Sequence, residues 1–286
     1  MIEKINLLAN DKVDKDGEKI SLSTLEHLMD ETNLIIKSSY SDHDYRFPPV
    51  GRISHAFIKN EEETYNLYGM FEFFEVTDLH KENIIAGKKL AINRLENPTI
   101  VCDKSYELTG LEEDVQVLQK LLFDEEIEKE IQKSLYKVST LAIGFGIFKA
   151  KSFFDGFFLT ISDEFWSKIQ NIVRKNSKVY DNAQYIFSTV LENDKFSAEI
   201  MINFTNPQDA DLEKILVNNR STIDAVINAY YEESINVAKI VFNLIDNETI
   251  DHEYSLFEDG TPFNINNLEN YEEVLNEIKI EIEETE

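Results

Sequence analysis

The spacing of apolar residues changes period several times along this chain, and that property limits the folds open to it. From Val50 to Lys59 and from Tyr65 to Glu75 the pattern is that of strands with one buried face, and the polar run Asn60 to Thr64 between them reads as a hairpin connection. Phe196, Ala198, Ile200, Ile202 and Phe204 alternate with polar neighbours in the same way, and Tyr185 to Leu191 precedes them across a Glu-Asn-Asp turn. Between these stretches the period lengthens to that of a helix, over Leu111 to Tyr136 and again over about Asp209 to Glu233. A chain that mixes both periods in long blocks is α+β.

The blocks divide the chain into expected parts. Residues 1–110 read as a β-rich domain with a strand at Lys4 to Ala9 and one early helix, which begins near Ser21 or Ser23 and carries Leu22, Leu25, Leu28 and Met29 on one face. Residues 111–178 read as a helical connector followed by an aromatic segment, with Ser162, Asp163 and Glu164 marking a helix start. Residues 179–265 follow the order β-β-α-β-β, with later strands at Val237 to Ile245 and Glu253 to Phe257, which suggests a two-layer antiparallel sheet with one packed helix. Residues 266–286 are expected to form an acidic C-terminal helix or tail.

Charge narrows the partners. With 28 lysines and arginines against 55 acidic residues, the formal charge is -27, and a field of that sign repels phosphate backbones. Direct nucleic-acid binding is not expected; solubility, a basic partner and mimicry of nucleic acid are the readings that acidity leaves open. Cys102 is the single cysteine, so no internal disulfide forms, and the N-terminus has no basic region leading into an apolar one. Val138 to Phe148, the longest uncharged apolar stretch, is about half the roughly 20 residues of a spanning helix. The expectation is a cytoplasmic protein.

The segment SDHDYRFPPVGRISHAF, residues 41–57, gathers Asp42, His43, Asp44, Arg46, Arg52 and His55 around the rigid pair Pro48 and Pro49. Read structurally, Arg46 and Arg52 pair with Asp42 and Asp44 and fix the loop, while Gly51 permits a close backbone approach. The order DGEKISLSTLEHL, DHDYRFPPVGRISHAFI and LYGMFEFFE over the first third of the chain resembles prohead-type serine peptidases, the capsid-maturation enzymes of tailed phages related to the herpesvirus assemblins. The chain also resembles a group of bacterial proteins that share the PPVGRI block and an aromatic segment similar to KAKSFFDGFF. The first resemblance implies a barrel-like N-terminal fold and a histidine base acting on a serine, with His43 where the family's histidine is expected. Ser105, in CDKSYEL, is the favoured serine, and Ser139, in YKVSTLAIGF, is the other candidate. His55 is open to two readings, an orienting second histidine or a packing residue that shares a strand face with Ile53 and Phe57. Metal binding by Asp42, His43, Asp44 and His55 is disfavoured, because neighbours on a strand point to opposite faces, and no cofactor is expected.

Residues 140–166 hold the densest aromatic run, including Phe145, Phe148, Phe153, Phe154, Phe157, Phe158, Phe165 and Trp166. So much apolar surface is buried in a core, covered by a partner, or set against a membrane surface. Phe153, Phe154, Phe157, Phe158 and Trp166 are the partner-binding candidates. The functional expectation is protein recognition without catalysis, as a sensor or accessory in bacterial antiphage defence, by way of a protein partner or a homo-oligomer. The alternatives are a prohead-type serine peptidase using His43 and Ser105, and an acidic mimic of nucleic acid.

Overall fold

Residues 2–12, 19–40, 44–82, 88–92, 99–103, 110–122, 130–132, 139–148, 161–180, 183–192, 197–208 and 210–285 are described in a computed structural model of the chain. The α+β class holds. The chain forms two compact units, one made of Met1–Ala91 with Tyr254–Glu286, the other of Ile92–Glu253. The cuts expected at 110 and 265 do not coincide with these units, because the last segment packs with the first.

The first unit is built on strands β1 (Ile2–Asn10), β2 (Lys37–Ser39), β3 (Gly51–Glu61) and β4 (Thr64–Phe73), in the antiparallel order β1-β4-β3-β2. Bulges at Leu7/Ala9 in β1 and Ile53/His55 in β3 each place an extra residue in the ladder, which bends the strands and curls the sheet into a half-barrel. Helix α1 (Leu22–Leu34) starts where Ser21 accepts a hydrogen bond from the Thr24 amide. It buries Leu25 against Ala56 and Leu67, with Leu8, Leu28, Met29 and Ile58 around them.

The second unit contains strands β5 (Thr99–Asp103), β6 (Glu130–Gln132), β7 (Ser139–Phe148), β8 (Ala183–Glu192), β9 (Ser197–Thr205) and β10 (Val237–Ile245). Their order is β10-β9-β8-β7-β5-β6, and the sheet is mixed. β8 and β9 form the expected antiparallel hairpin, but β10 runs parallel to β9 and β8 parallel to β7. A helical crossover returns the chain to the same end of the sheet, so the strands it joins run the same way.

The helical blocks are shorter than their patterns. The connector forms helix α2 (Glu112–Leu122), after which Glu130–Gln132 is strand rather than helix. Helix α3 (Asp163–Asn176) starts at Ser162 as expected, and its Lys168 and Lys175 pair with Asp114 of α2 at 2.9 and 2.6 Å. The single helix expected over Asp209 to Glu233 is two, α4 (Leu212–Asn218) and α5 (Arg220–Glu233). Asn219 breaks it: its amide donates to the Ile215 and Glu248 carbonyls and accepts from the Ile250 amide, so it is tied to the turn that begins strand β11 (Thr249–Phe257).

β11 carries the chain back into the first unit, where Ser255 and Leu256 pair with strand β12 (Pro262–Phe263). Helix α6 (Leu268–Thr285) follows. It does not hang as a tail, since Tyr271 and Leu275 pack with Val50, Phe74 and Leu79 in a core of that unit.

The β3–β4 turn is strained. Glu62 and Glu63 both take left-handed conformations, with φ of 49° and 67°, in a two-residue connection that Asn-Gly fills without strain. Replacing Glu62-Glu63 with Asn-Gly raises stability by about 1 kcal/mol, read from urea unfolding midpoints.

Candidate functional site

Arg52 is the centre of the PPVGRI segment, and it is 1% exposed. A guanidinium keeps its charge at any depth, so its surroundings must supply anions. Glu72, directly across the β3–β4 ladder, accepts from Nε at 2.8 Å. Asp259, in the turn after β11, accepts from Nη1 through its carbonyl at 2.8 Å and its carboxylate at 3.1 Å. The carboxylate is itself held by the Thr261 amide and hydroxyl, at 2.9 and 2.7 Å. The Phe74 ring lies 5.8 Å from the guanidinium carbon.

Gly51 and the prolines set this geometry. A Cβ on Gly51 would stand 2.6 Å from the Glu72 carbonyl oxygen and 3.0 Å from the Phe73 Cα, so the two strands meet as they do only because a glycine is there. The Val50 amide donates to the Ser39 carbonyl, and the Phe74 amide to the Val50 carbonyl. Pro48 and Pro49 are buried, and the Pro49 carbonyl accepts from the Tyr271 hydroxyl at 2.5 Å. Asp44 and Arg46 form a forked ion pair, with Arg46 Nε 2.9 Å from both carboxylate oxygens. The structural pairing expected for Arg46 with Asp44 is therefore present, whereas Arg52 turns to Glu72 and Asp259. Ser38, opposite Arg52 in register, and Tyr40 bury hydroxyls that have no hydrogen-bond partner among the described residues.

The sequence-derived catalytic and contact residues fall unevenly. Asp42, His43, Ser105, Phe153, Phe154, Phe157 and Phe158 lie outside the described residues. Ser139 is fully buried and accepts from the Asn176 amide at 2.9 Å, the position of a packing residue rather than a nucleophile in a groove. Trp166, expected to face a partner, is 5% exposed and sits edge-on to Phe165 and Phe187. His55 does share a face with Phe57, their rings 6.3 Å apart, but the bulge at Ile53/His55 sends Ile53 to the other side. Among the described residues no group of three or more histidines, cysteines or acids is placed to hold a metal, and no helix is long and apolar enough to cross a membrane.

One face of the first sheet is exposed over part of its area, next to the buried Arg52. Ile5, Met70 and His55 stand in one cross-strand row and Leu7, Tyr68 and Phe57 in the next. Ile5 and Leu7 are 51% and 50% exposed. Phe57 and Tyr68 stack at 5.8 Å, Lys59 lies over both rings, and the Tyr68 hydroxyl donates to Glu61. Glu61, Glu62 and Glu63 are exposed at the end of these rows. Sequence reasoning passed over this face, although the alternation Glu3, Ile5, Leu7 in β1 was visible.

It also passed over a buried polar row in the second unit. Glu199 on β9 pairs with Lys239 on β10 at 3.0 Å, and four residues on, Asn203 stands opposite Asn243. Asn203 is 1% exposed, and among the described residues neither of its side-chain polar atoms has a partner. The signal was the matched spacing of Glu199/Asn203 and Lys239/Asn243. Neither a family model, nor a curated protein, nor a solved structure matches the chain.

Two measurements check the Arg52 cluster. Arg52→Met leaves two carboxylates facing each other without their cation and lowers stability by about 3–5 kcal/mol in urea unfolding, while adding Glu72→Gln and Asp259→Asn restores most of it. Burial, and secondly Tyr40, push the Tyr271 hydroxyl well above its ordinary value of 10. The folded state then binds that proton more tightly than the unfolded chain, so stability is intact below about pH 10 and falls as pH rises further. In Tyr271→Phe the alkaline loss shrinks, and neutral-pH stability drops by about 1–3 kcal/mol because the Pro49 carbonyl is orphaned.

Proposed function

We propose that this chain is a non-catalytic protein-recognition component, and that the open face of its N-terminal sheet is the surface a partner covers. The observation that carries this is the pair of rows Ile5, Met70, His55 and Leu7, Tyr68, Phe57, with Ile5 and Leu7 half exposed beside stacked aromatic rings. Apolar and aromatic side chains gathered on one open face, rimmed by charge, are what protein interfaces use. The PPVGRI segment supports the reading from the other side. Arg52 is spent on Glu72 and Asp259, Pro49 on Tyr271, and Arg46 on Asp44, so the described part of that segment serves as scaffold.

The setting we propose is a sensor or accessory role in bacterial antiphage defence, which rests on the N-terminal resemblance to phage capsid-maturation peptidases. A fold does not fix a function, and a peptidase-like shape retained without chemistry suits a binding role.

The test is affinity capture from host cells, with and without phage infection, using the chain and its Ile5→Lys/Leu7→Lys double variant. Both side chains are half exposed, so the variant keeps its fold, and it loses the captured partner. Retention of the partner by the variant overturns the role of this face. Labelling of the chain by a fluorophosphonate probe, abolished in His43→Ala, overturns the non-catalytic reading.

A further inference from the structure

The two edges of the N-terminal sheet are finished differently. Beyond the short β2, which pairs only Gly51 to Ile53, the edge of β3 is taken up by side chains: Asn33 bonds both the amide and the carbonyl of Ala56, at 2.9 and 2.8 Å, and the Lys88 ammonium donates to the Ser54 carbonyl. At the opposite edge, no described strand pairs with the outer side of β1. Residues Ile2 to Leu7 run there in unbroken register with β4 until the bulge. An open strand edge offers amides and carbonyls at the spacing another strand needs, and proteins usually blunt it. Here it is bordered instead by Ile5 and Leu7, half exposed on one side of the strand.

Charge indicates which strand fits. Glu3 is exposed on the same side as Ile5, and Glu61, Glu62 and Glu63 are exposed at the β3–β4 turn, beside the end of the sheet where Asn10 pairs with Asn66. Of the basic residues described near these rows, Lys59 lies over Phe57 and Tyr68, Arg52 is buried against Glu72 and Asp259, and Lys4 stands on the other face of β1. Glu62 and Glu63 hold left-handed conformations that Asn and Gly adopt more easily, so acidic side chains are kept at that turn against the local backbone preference. A second copy of this chain, with a formal charge of -27, is repelled; a basic segment is attracted.

We infer that β1 binds an extended segment of a partner protein, with apolar residues alternating with lysine or arginine, by adding it to the sheet as a further strand. Main-chain hydrogen bonds along Ile2 to Leu7 hold the segment, its apolar side chains lie against Ile5 and Leu7, and its basic side chains meet Glu3 and the glutamate turn. This rests on the recognition reading above and specifies the edge as the element that engages.

The probe is a short fluorescein-labelled peptide of alternating lysine and valine, titrated into the full chain by anisotropy, with hydrogen exchange read on the amides of β1. The expected result is binding that weakens as salt rises, with slowed exchange at Ile2 to Leu7. A peptide with proline at its centre, a peptide with glutamate for lysine, and the Ile5→Lys/Leu7→Lys variant each weaken binding by about tenfold or more. Equal binding of the proline peptide, or protection away from β1, overturns strand addition. Failure of the lysine–valine peptide to bind also overturns it; if the double variant still loses the host partner, face recognition survives that failure. Sedimentation showing a dimer whose β1 amides are protected overturns it in favour of self-pairing.

Discussion

A guanidinium with almost no contact with water sets the terms for the N-terminal unit. Arg52 cannot give up its charge, so the fold must bring anions to it, and each anion comes with a structural condition. Glu72 reaches it only if β3 and β4 pair in the observed register, and the close approach of those strands requires Gly51. Asp259 reaches it only if the turn after β11 closes, which Thr261 and the left-handed Gly260 allow. Tyr271, bonded to the carbonyl of Pro49 three residues before Arg52, then seats α6 over the same region. The prolines, the glycine and the arginine of the PPVGRI block thus answer to one electrostatic demand.

The two faces of the sheet that carries Arg52 differ in kind. One is closed by α1 through Leu25, Ala56 and Leu67. The other passes from the buried Arg52–Glu72 row to the open rows of Ile5 and Leu7 within a few residues of strand. Rigid anchoring at one end of a strand pair and exposure at the other fix the arrangement of the exposed rows, and under the proposed recognition role that lowers the ordering cost of association.

Much of this was legible in the sequence because it is local. Ser21 and Ser162 mark their helices correctly, since an N-cap needs only its own next turn. The alternation of Ala198, Ile200, Ile202 and Phe204 marks β9, and those residues are buried together. What was not legible depends on distant partners. One partner of Arg52, Asp259, lies 207 residues away, and the nearer Asp44, which local reasoning offered it, is occupied by Arg46. Asn219 looks like an ordinary helical residue until the turn before β11 claims its amide. The bulge that separates Ile53 from His55 leaves the alternation of types intact while moving one side chain across the sheet. The direction of β10 was readable in principle, because strands joined through a helix tend to run parallel, but burial pattern alone carries no direction.

Because the N-terminal unit is assembled from Met1–Ala91 and Tyr254–Glu286, its synthesis is interrupted by the whole of Ile92–Glu253. A nascent chain therefore carries Arg52 and Glu72 long before Asp259, the second acid that Arg52 pairs with, has been made. The inserted stretch is complete before Tyr254–Glu286 has been made and can mature first, while Arg52 has only Glu72 of its two acids to pair with.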